Sequence, residues 1–305
     1  MFYNTIGNLI CYFCLYFGVV EVLAQQSVAL AQQQQQQQQQ QPLLPPSNSY
    51  ELLKQLPETY KFLSLLDLEL QLYLQNQTNI TVFAPYNDAF HHTLLLDRNT
   101  TRYHILPQLC LDDCWNDGPL YKSTSYMKLW TNRNKNTKQI ESGNMQSAAV
   151  INSIQIPSQR SVVHIIDSIL TVPLDIETTL ETLKFTKAKE MISQVRQNDK
   201  AGNNSEFDEM LTLFMPNNQA FGTVDPKTLG FDINAMIYNA HAVKGLFISK
   251  QLKYSNNTIQ NLAGSNIKIH ANQISINNNT ANIIIKDIIA ENAIIHSIDQ
   301  SNFLH

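Results

Sequence analysis

Apolar residues recur at helical spacing in two separate parts of the chain. Residues 50–74 are rich in leucine, with one interruption at Pro57. In residues 176–196 the apolar positions are Leu180, Leu183, Ala188, Ile192 and Val195. Because side chains three or four positions apart share one face of a helix, both segments predict amphipathic helices.

A short apolar strand follows each helical segment and ends at a proline, Pro85 or Pro216. Proline donates no backbone hydrogen bond and biases the residue before it toward extended geometry, which suits the end of a strand. Two positions later comes Asn87 or Asn218, a good N-cap residue. We therefore predict that a helix begins after each strand, capped by that asparagine.

The last third of each half of the chain has a pattern typical of β-strands. Short β-branched segments alternate with Asn-rich turns at 267–269, 274–276 and 283–285. The final strand in each half contains a histidine between apolar residues, His164 or His296. Such a ring is more often a neutral, hydrogen-bonded core group than a ligand or a catalyst. Helices first and a sheet last predict an α+β domain.

The two halves of the chain repeat each other. Residues 81–90 (TVFAPYNDAF) are echoed by 212–221 (TLFMPNNQAF), and 212 − 81 gives an offset of 131. Residues 162–167 are echoed by 294–299 at an offset of 132, and His104 and His241 are 137 positions apart. Since this period is the size of a domain, the sequence predicts a duplicated domain rather than a solenoid.

The first 47 residues differ in character from the rest. An apolar run and the small residue Ala24 predict a signal peptide at 1–24, cleaved after Ala24; a signal anchor is the alternative. The run is shorter than the ~20 residues that span a bilayer, so we expect no membrane span in the mature chain. Residues 25–47 contain ten consecutive glutamines, at 32–41, and predict a disordered leader, either a passive spacer or an association segment.

Charge and composition limit the classes of partner and the location that we expect for this protein. The net charge of the 305-residue chain is −4, with scattered basic residues, so nothing indicates nucleic acid. The glycosylation pattern N-x-[ST] begins at Asn76, Asn79, Asn99, Asn203, Asn256 and Asn278. Together with the predicted signal peptide, these sequons indicate an exported protein.

The mature chain would contain two cysteines, Cys110 and Cys114, because Cys11 and Cys14 belong to the signal segment. In an oxidising compartment we expect the two to form a disulfide. The alternative is a metal half-site completed by nearby residues, namely Asp112, Asp113, Asp117 and His104. A structural zinc site needs four fixed ligands with thiolates protected from oxidation, so we predict no metal and no cofactor.

Two segments of the repeat resemble the signatures of fasciclin-type adhesion domains: residues 81–90 and residues 162–170 (VVHIIDSIL). The resemblance extends over most of 50–304. It implies two tandem fasciclin-type domains, at 48–173 and 174–305, each a β-wedge or sandwich with flanking helices. It also implies an extracellular adhesion or matrix protein without a common catalytic site.

Two short features of that family are tied to integrin-type adhesion, a Tyr-His pair in mid-domain and an Asp-Ile pair before the second signature. Tyr103-His104 matches the first, and Asp287-Ile288 matches the second. At the same offsets the other repeat has Ala240-His241 and Gln155-Ile156. The resemblance thus makes Tyr103, His104, Asp287 and Ile288 adhesion candidates. The alternatives are that Tyr103 packs in the core and that Asp287 ends a strand.

The sequence favours a binding protein over an enzyme. It contains no G-x-S-x-G, H-E-x-x-H, Walker or G-x-G-x-x-G motif, and the adjacent His91 and His92 would not share a helix face. We expect extracellular partners, either integrin-type receptors or matrix components. The alternative function is matrix assembly or a secreted carrier without receptor binding.

Overall fold

The computed structural model describes residues 25–26, 45–90, 97–115, 120–123, 128–134, 137–199, 209–222, 224–254, 259–270, 272–276 and 279–301. The predicted signal peptide, the glutamine tract and His91-His92 lie outside these residues, and of the predicted leader at 25–47 the structure describes residues 25–26 and 45–47 alone. The predictions for those segments therefore stay predictions.

The first repeat places its helices before most of its strands. The helices are α1 (Ser49–Gln55), α2 (Tyr60–Ser64), α3 (Leu68–Asn76) and α4 (Arg98–Tyr103). The strands are β1 (Thr81–Pro85), β2 (Ile105–Leu106), β3 (Leu120–Lys122), β4 (Lys128–Asn134), β5 (Thr137–Glu141), β6 (Ser147–Ile156) and β7 (Ser161–Ile166).

The second repeat follows the same order. Its helices are α5 (Ile176–Thr182), α6 (Thr186–Asp199), α7 (Phe231–His241) and α8 (Ser249–Tyr254). Its strands are β8 (Leu211–Pro216), β9 (Ala242–Lys244), β10 (Ile259–Gln260), β11 (Asn266–His270), β12 (Gln273–Ile276), β13 (Asn279–Ile289) and β14 (Ala293–Ile298).

The strands described in each repeat form one seven-stranded sheet of identical topology. The orders are β2-β1-β7-β6-β5-β4-β3 and β9-β8-β14-β13-β12-β11-β10. In each sheet the first long strand pairs in parallel with the last, β1 with β7 and β8 with β14, and the other pairings are antiparallel. A bridge between Val243 and Asn261 joins strand β9 to the residue that follows β10, so the second sheet curves back on itself. The predictions of a duplicated domain and of an α+β fold are confirmed.

The strands β1 and β8 are buried on both faces, because successive side chains point to opposite sides. Val82 and Ala84 contact the cluster that α1, α2 and α3 line, while Phe83 belongs to the cluster inside the curved sheet. In the second repeat Leu213 contacts the cluster that α5 and α6 line, and Phe214 belongs to the cluster inside the second sheet. Every described cluster of buried apolar residues takes its members from one repeat, so each repeat has its own core.

The predicted role of Asn87 and Asn218 as caps of their own helices is wrong. The Asn87 side chain accepts a hydrogen bond from the backbone N–H of Lys61 (3.1 Å) and donates to the carbonyl of Pro57 (2.8 Å). Asn218 accepts from Lys187 N–H (3.1 Å) in the equivalent way. Both asparagines therefore cap the first turn of an earlier helix, α2 or α6, from a distant part of the chain. The cause is tertiary: the strand end and that helix are neighbours in space.

The segment between the repeats is fixed to the first repeat by a short 3-10 helix, Gly143–Met145. Gly143 N–H donates to Thr171 O (2.8 Å), and Thr171 N–H donates to Ser142 Oγ (3.2 Å). A Cβ on Gly143 would lie 2.7 Å from backbone atoms of Val172 and Pro173, so only glycine fits there without movement. The same 3-10 helix contacts β13 of the second repeat.

Candidate functional site

Tyr103 and His104 lie at the end of α4 and are both fully buried. Tyr103 belongs to the core inside the first sheet, and burial raises the pKa of its hydroxyl well above the usual value. His104 packs against the ring of Phe62, with 5.5 Å between ring centroids. The structure therefore brings these two adhesion candidates together in the interior of the first repeat.

The hydrogen bonds of His104 define its tautomer. The backbone N–H of Leu170 donates to Nε2 (3.0 Å), so Nε2 carries the lone pair and Nδ1–H donates to Thr100 O (2.7 Å). Burial lowers the pKa of His104 to about 4, so the ring is neutral at physiological pH. His241 ends α7 in the equivalent place, bonds through Nδ1 to Ile237 O (2.7 Å), and burial lowers its pKa to about 4 as well.

His164 and His296 form a second equivalent pair, on the last strand of each sheet. Each ring stacks on the phenylalanine of the adjacent parallel strand, at 5.7 Å from Phe83 and 5.4 Å from Phe214. Each donates from Nε2 to a backbone carbonyl at 2.9 Å, that of Cys110 or Phe247. Burial lowers the pKa of both rings, to about 4 for His164. Both histidines are thus internal hydrogen-bonded groups.

The Nδ1 atoms of this second pair are satisfied in two different ways. Ser153 Oγ lies 2.7 Å from His164 Nδ1, whereas in the second repeat the backbone N–H of Asp287 donates to His296 Nδ1 at 3.3 Å. The strand registers explain the difference. One residue, Ser153, lies opposite His164 in β6, but two residues, Lys286 and Asp287, occupy the corresponding place in β13.

This extra residue is a β-bulge, and Asp287 has the left-handed backbone angle φ of 59° that bulges often require. The strand registers also correct the sequence comparison of the two repeats. The structural counterpart of Asp287-Ile288 is Ser153-Ile154, not Gln155-Ile156. A constant offset of 132 fails here because the turn between the last two strands is two residues shorter in the second repeat: six residues separate the paired Gln155 and Val162, but four separate the paired Ile289 and Ile294.

The carboxylate of Asp287 is held by the start of α8. Ser249 N–H donates to Oδ1 (2.6 Å) and Ser249 Oγ–H donates to Oδ2 (2.5 Å). The Asp287 side chain is 13% exposed, and Oδ1 lies 3.9 Å from His296 Nδ1. Ile288 is fully buried in the core beneath α5 and α6. The second pair of adhesion candidates therefore anchors a helix and fills a core.

Cys110 and Cys114 are buried in the core inside the first sheet, where the carbonyl of Cys110 bonds to His164, and both are thiols in the structure. The hydrogen bond with the Cys114 side chain, together with burial, raises the pKa of the Cys110 thiol. The disulfide between them stays a prediction. Asp112, which the metal alternative included, pairs instead with Lys138 (2.9 Å). Within the described ranges, no three His, Cys, Asp or Glu side chains come together as a metal-binding group.

Three of the six predicted glycosylation sites lie in residues that the structure describes. Asn76, Asn79 and Asn99 are exposed, at the end of α3, in the turn before β1 and in α4 respectively. Asn203, Asn256 and Asn278, like Asp117, lie outside the described residues. Among the helices that the structure does describe, none is both long and apolar enough to cross a membrane.

Comparison with known proteins decides the family. The fasciclin domain model matches the chain twice, at residues 54–173 and 183–301. The chain belongs to the fasciclin-domain family. Both fasciclin repeats carry the paired buried histidines described above, and the two matches contain the two seven-stranded sheets.

Two relatives illustrate the likeness. The fasciclin chain is 25% identical over 285 residues to transforming growth factor-beta-induced protein ig-h3 of Sus scrofa. That alignment covers 85% of this chain and 40% of ig-h3, so the chain spans well under half of that relative. Among solved structures, it resembles a FAS1 domain pair from the insect cell adhesion molecule fasciclin I. The TM-score is 0.37 at 19% identity, covering 79% of this chain and 94% of that one. The fasciclin domains and the likeness to ig-h3 support an adhesion- or matrix-related protein.

Sequence reasoning missed the residues that support the histidines and the bulge, chiefly Ser153 and Ser249. The sequence spacing concealed the bulge. His164 lies 16 positions after Ala148, but His296 lies only 15 after Ala281, because the shorter turn after β13 outweighs its one extra residue. No sequence signal marked Ser249 either, because its contact with Asp287 joins positions 38 residues apart.

Proposed function

We propose that this chain is an exported, non-enzymatic fasciclin protein that binds cell receptors or matrix components. The double fasciclin match over residues 54–173 and 183–301 carries this proposal. The likeness to ig-h3 and the two fasciclin domains support an adhesion- or matrix-related role, and the predicted signal peptide and sequons support an extracellular location.

The chemistry of the interior supports a binding role rather than catalysis. The histidines His104, His164 and His296 are all neutral at physiological pH and spend their ring nitrogens on internal hydrogen bonds. A general acid or base must reach a substrate proton, whereas these rings face backbone carbonyls and buried partners.

Burial also shapes the adhesion hypothesis. Because Tyr103, His104 and Ile288 are buried and Asp287 caps α8, we propose that these residues act on adhesion indirectly. In the second repeat, Asp287 would hold α8 against β13 and so keep the surface formed by both elements in place. A direct alternative remains testable: the carboxylate would complete the oxygen shell of a divalent ion at the receptor.

Attachment of cells to the purified, glycosylated chain tests the function. We expect attachment above that to an inert protein coat, with the protein recovered from culture medium and beginning near Gln25. Removal of divalent ions by chelation separates the receptor classes, because integrin-type contacts depend on those ions. No attachment under any condition, together with binding to purified matrix, would favour matrix assembly instead.

Two variants separate the indirect role of Asp287 from the direct one. Ser249→Ala removes a hydrogen-bond partner of the carboxylate but leaves the carboxylate itself, and Asp287→Asn removes the charge but keeps the shape. If Asp287 positions α8, both variants reduce attachment in proportion to their loss of stability. If Asp287 binds a receptor-bound ion, Asp287→Asn abolishes attachment and Ser249→Ala does not. Tyr103→Ala, checked for folding, gives the corresponding comparison in the first repeat.

A further inference from the structure

The helix α3 has apolar residues on two opposite faces. Leu70 and Leu74 point into the core of the first repeat. Leu68 and Leu72, in contrast, are 70% and 48% exposed, although both are large apolar side chains. With a rotation of about 100° per residue, Leu68 and Leu72 lie within ~40° of each other on the side opposite Leu70 and Leu74. We call Leu68 and Leu72 the leucine stripe.

The next position along the leucine stripe is Asn76, four residues after Leu72. Asn76 begins the sequon Asn76-Gln77-Thr78, whose three residues are all exposed. Its side chain turns back along the helix, as side chains in helices do, and Nδ2 donates to the carbonyl oxygen of Leu72 at 2.8 Å. Nδ2 is the atom to which an N-linked glycan is attached, so an attached sugar would start beside Leu72.

We propose that Asn76 carries an N-linked glycan whose first sugars lie over the leucine stripe and shield it from water. Along the axis, Leu72 is ~6 Å and Leu68 ~12 Å from Asn76, within reach of the inner sugars. A pyranose ring presents an apolar face of C–H groups, and the acetamido group of the first sugar adds a methyl. These groups can pack on leucine while the hydroxyls stay in water.

The modification is a group transfer from a polyprenyl diphosphate-linked oligosaccharide, the donor of the secretory pathway. The bond between sugar C1 and the diphosphate oxygen breaks, the bond between Nδ2 and C1 forms, Nδ2 loses one proton, and the polyprenyl diphosphate leaves. The inference therefore rests on the export that the proposed function includes. The remaining N–H of Nδ2 can still donate to Leu72 O.

The first repeat offers a matched control. Asn99, in α4, is another exposed sequon residue, but it is on a different helix from the leucine stripe. The glycan-free variants are Asn76→Gln and Thr78→Ala, which destroy the same sequon through different residues. Asn99→Gln removes the sequon of the neighbouring helix α4, whose Arg98 pairs with Asp67 and Glu69, and leaves the glycan on Asn76 in place over the leucine stripe.

The experiment uses the full chain secreted from glycosylating cells, with peptide mapping of each sequon and binding of a fluorescent hydrophobic dye. We expect occupancy at Asn76. Asn76→Gln and Thr78→Ala should each increase dye binding several-fold and promote self-association, whereas Asn99→Gln should not. Adding Leu68→Lys and Leu72→Lys to Asn76→Gln should return dye binding to the original level. Trimming the glycan to its first sugar should keep part of the protection.

Secreted protein with Asn99 occupied and Asn76 bare would overturn the inference and leave export intact. Unchanged dye binding by Asn76→Gln and Thr78→Ala would overturn it as well, and would point to a protein partner on the leucine stripe. Retention in the cell with no sequon occupied would contradict the proposed function and this inference together.

Discussion

At the scale of single residues, each buried histidine of the first repeat has a counterpart in the second repeat that makes the same kind of hydrogen bond. His104 and His241 both donate from Nδ1 to the carbonyl one helical turn earlier, and His164 and His296 both donate from Nε2 to a loop carbonyl. A buried imidazole that is neutral and hydrogen-bonded fixes the orientation of the elements it joins, because rotating the ring would leave polar atoms unpaired. The same two tautomers recur in both repeats, which indicates that they are part of the fold itself.

The first prediction concerns the pH dependence of these rings. His104, His164 and His241 have folded-state pKa values lowered to about 4, while the unfolded imidazole titrates near ~6.5. Below pH ~6.5 the unfolded chain binds protons that the folded chain does not, so the free energy of unfolding should fall as pH drops from ~6.5 to ~4. Above pH ~6.5 the stabilisation is complete.

Nitrogen-15 NMR of labelled histidine checks this directly. We expect ring signals of His104 from the Nδ1–H tautomer and of His164 from the Nε2–H tautomer, both unchanged between about pH 8 and pH 5.5. The chain unfolded in urea supplies the reference titration. A midpoint near ~6.5 for either ring in the folded protein would contradict the burial-driven shift.

A second prediction tests His164 as a core group. His164→Asp places a carboxylate beside Phe83 and Trp115, without the Nε2–H that satisfies the Cys110 carbonyl. We expect a loss of ~3 kcal/mol or more in the free energy of unfolding, measured in urea. His270→Asp, at an exposed position in β11, is the matched control and should change stability by less than ~0.5 kcal/mol.

At the scale of elements, helices and strands are positioned by side chains that are distant in sequence. Asn87 and Asn218 cap α2 and α6 across 26 and 31 residues, and Asp287 caps α8 across 38. In each case a polar side chain within a strand or just after one satisfies an N–H group that a helix leaves unpaired in its first turn. Each sheet thus orients the helices packed around it.

The third prediction concerns these long-range caps. Asn218→Ala removes the acceptor for Lys187 N–H and the donor to Lys184 O, so it should cost ~1–2 kcal/mol and fray the start of α6. Hydrogen exchange of the first-turn amides of α6 would show the fraying. Asn217→Ala is a useful comparison, because the Asn217 side chain accepts from Ala220 N–H within its own turn and its loss should leave α6 protected. Equal exchange in both variants would refute the long-range cap.

The elements show where sequence reasoning succeeds and where it ends. Helical spacing in 50–74 and 176–196, the prolines that close β1 and β8, and the duplicated histidine strand predicted the element order and the α+β class. Those signals are local, and their physics acts within a few residues. The caps by Asn87, Asn218 and Asp287, and the equivalence of Ser153 with Asp287, depend on which strand lies beside which helix. A periodic pattern carries no such information. Burial of Tyr103 beneath the sheet was an open alternative for the same reason.

At the scale of the whole molecule, the segment that connects the fasciclin repeats is held from both sides. On one side, Gly143 and Ser142 bond to Thr171. On the other side, the N–H of Glu291, between β13 and β14, donates to Leu174 O at 2.8 Å. Pro173, between these contacts, is buried. A connection with fixed hydrogen bonds at each end behaves as part of the structure rather than as a flexible linker.

The last prediction follows from the space around Gly143. In Gly143→Ala the new methyl would meet the Pro173 N and Cα and the Val172 O at 2.7 Å, which are backbone atoms that no rotamer change can move. Either the 3-10 helix or the connecting segment must shift, at a cost of ~1–3 kcal/mol. Since the 3-10 helix also contacts β13, the shift should loosen the contact between repeats. We therefore expect a lower unfolding midpoint in urea and faster hydrogen exchange at Thr171 and Glu291.

Gly230→Ala is the control, because a methyl there would have no atom within 4 Å and the backbone φ of −65° suits any residue. If Gly143→Ala unfolds at the same urea concentration as Gly230→Ala, the connection is not held in the way described, and the repeats must be joined through other contacts.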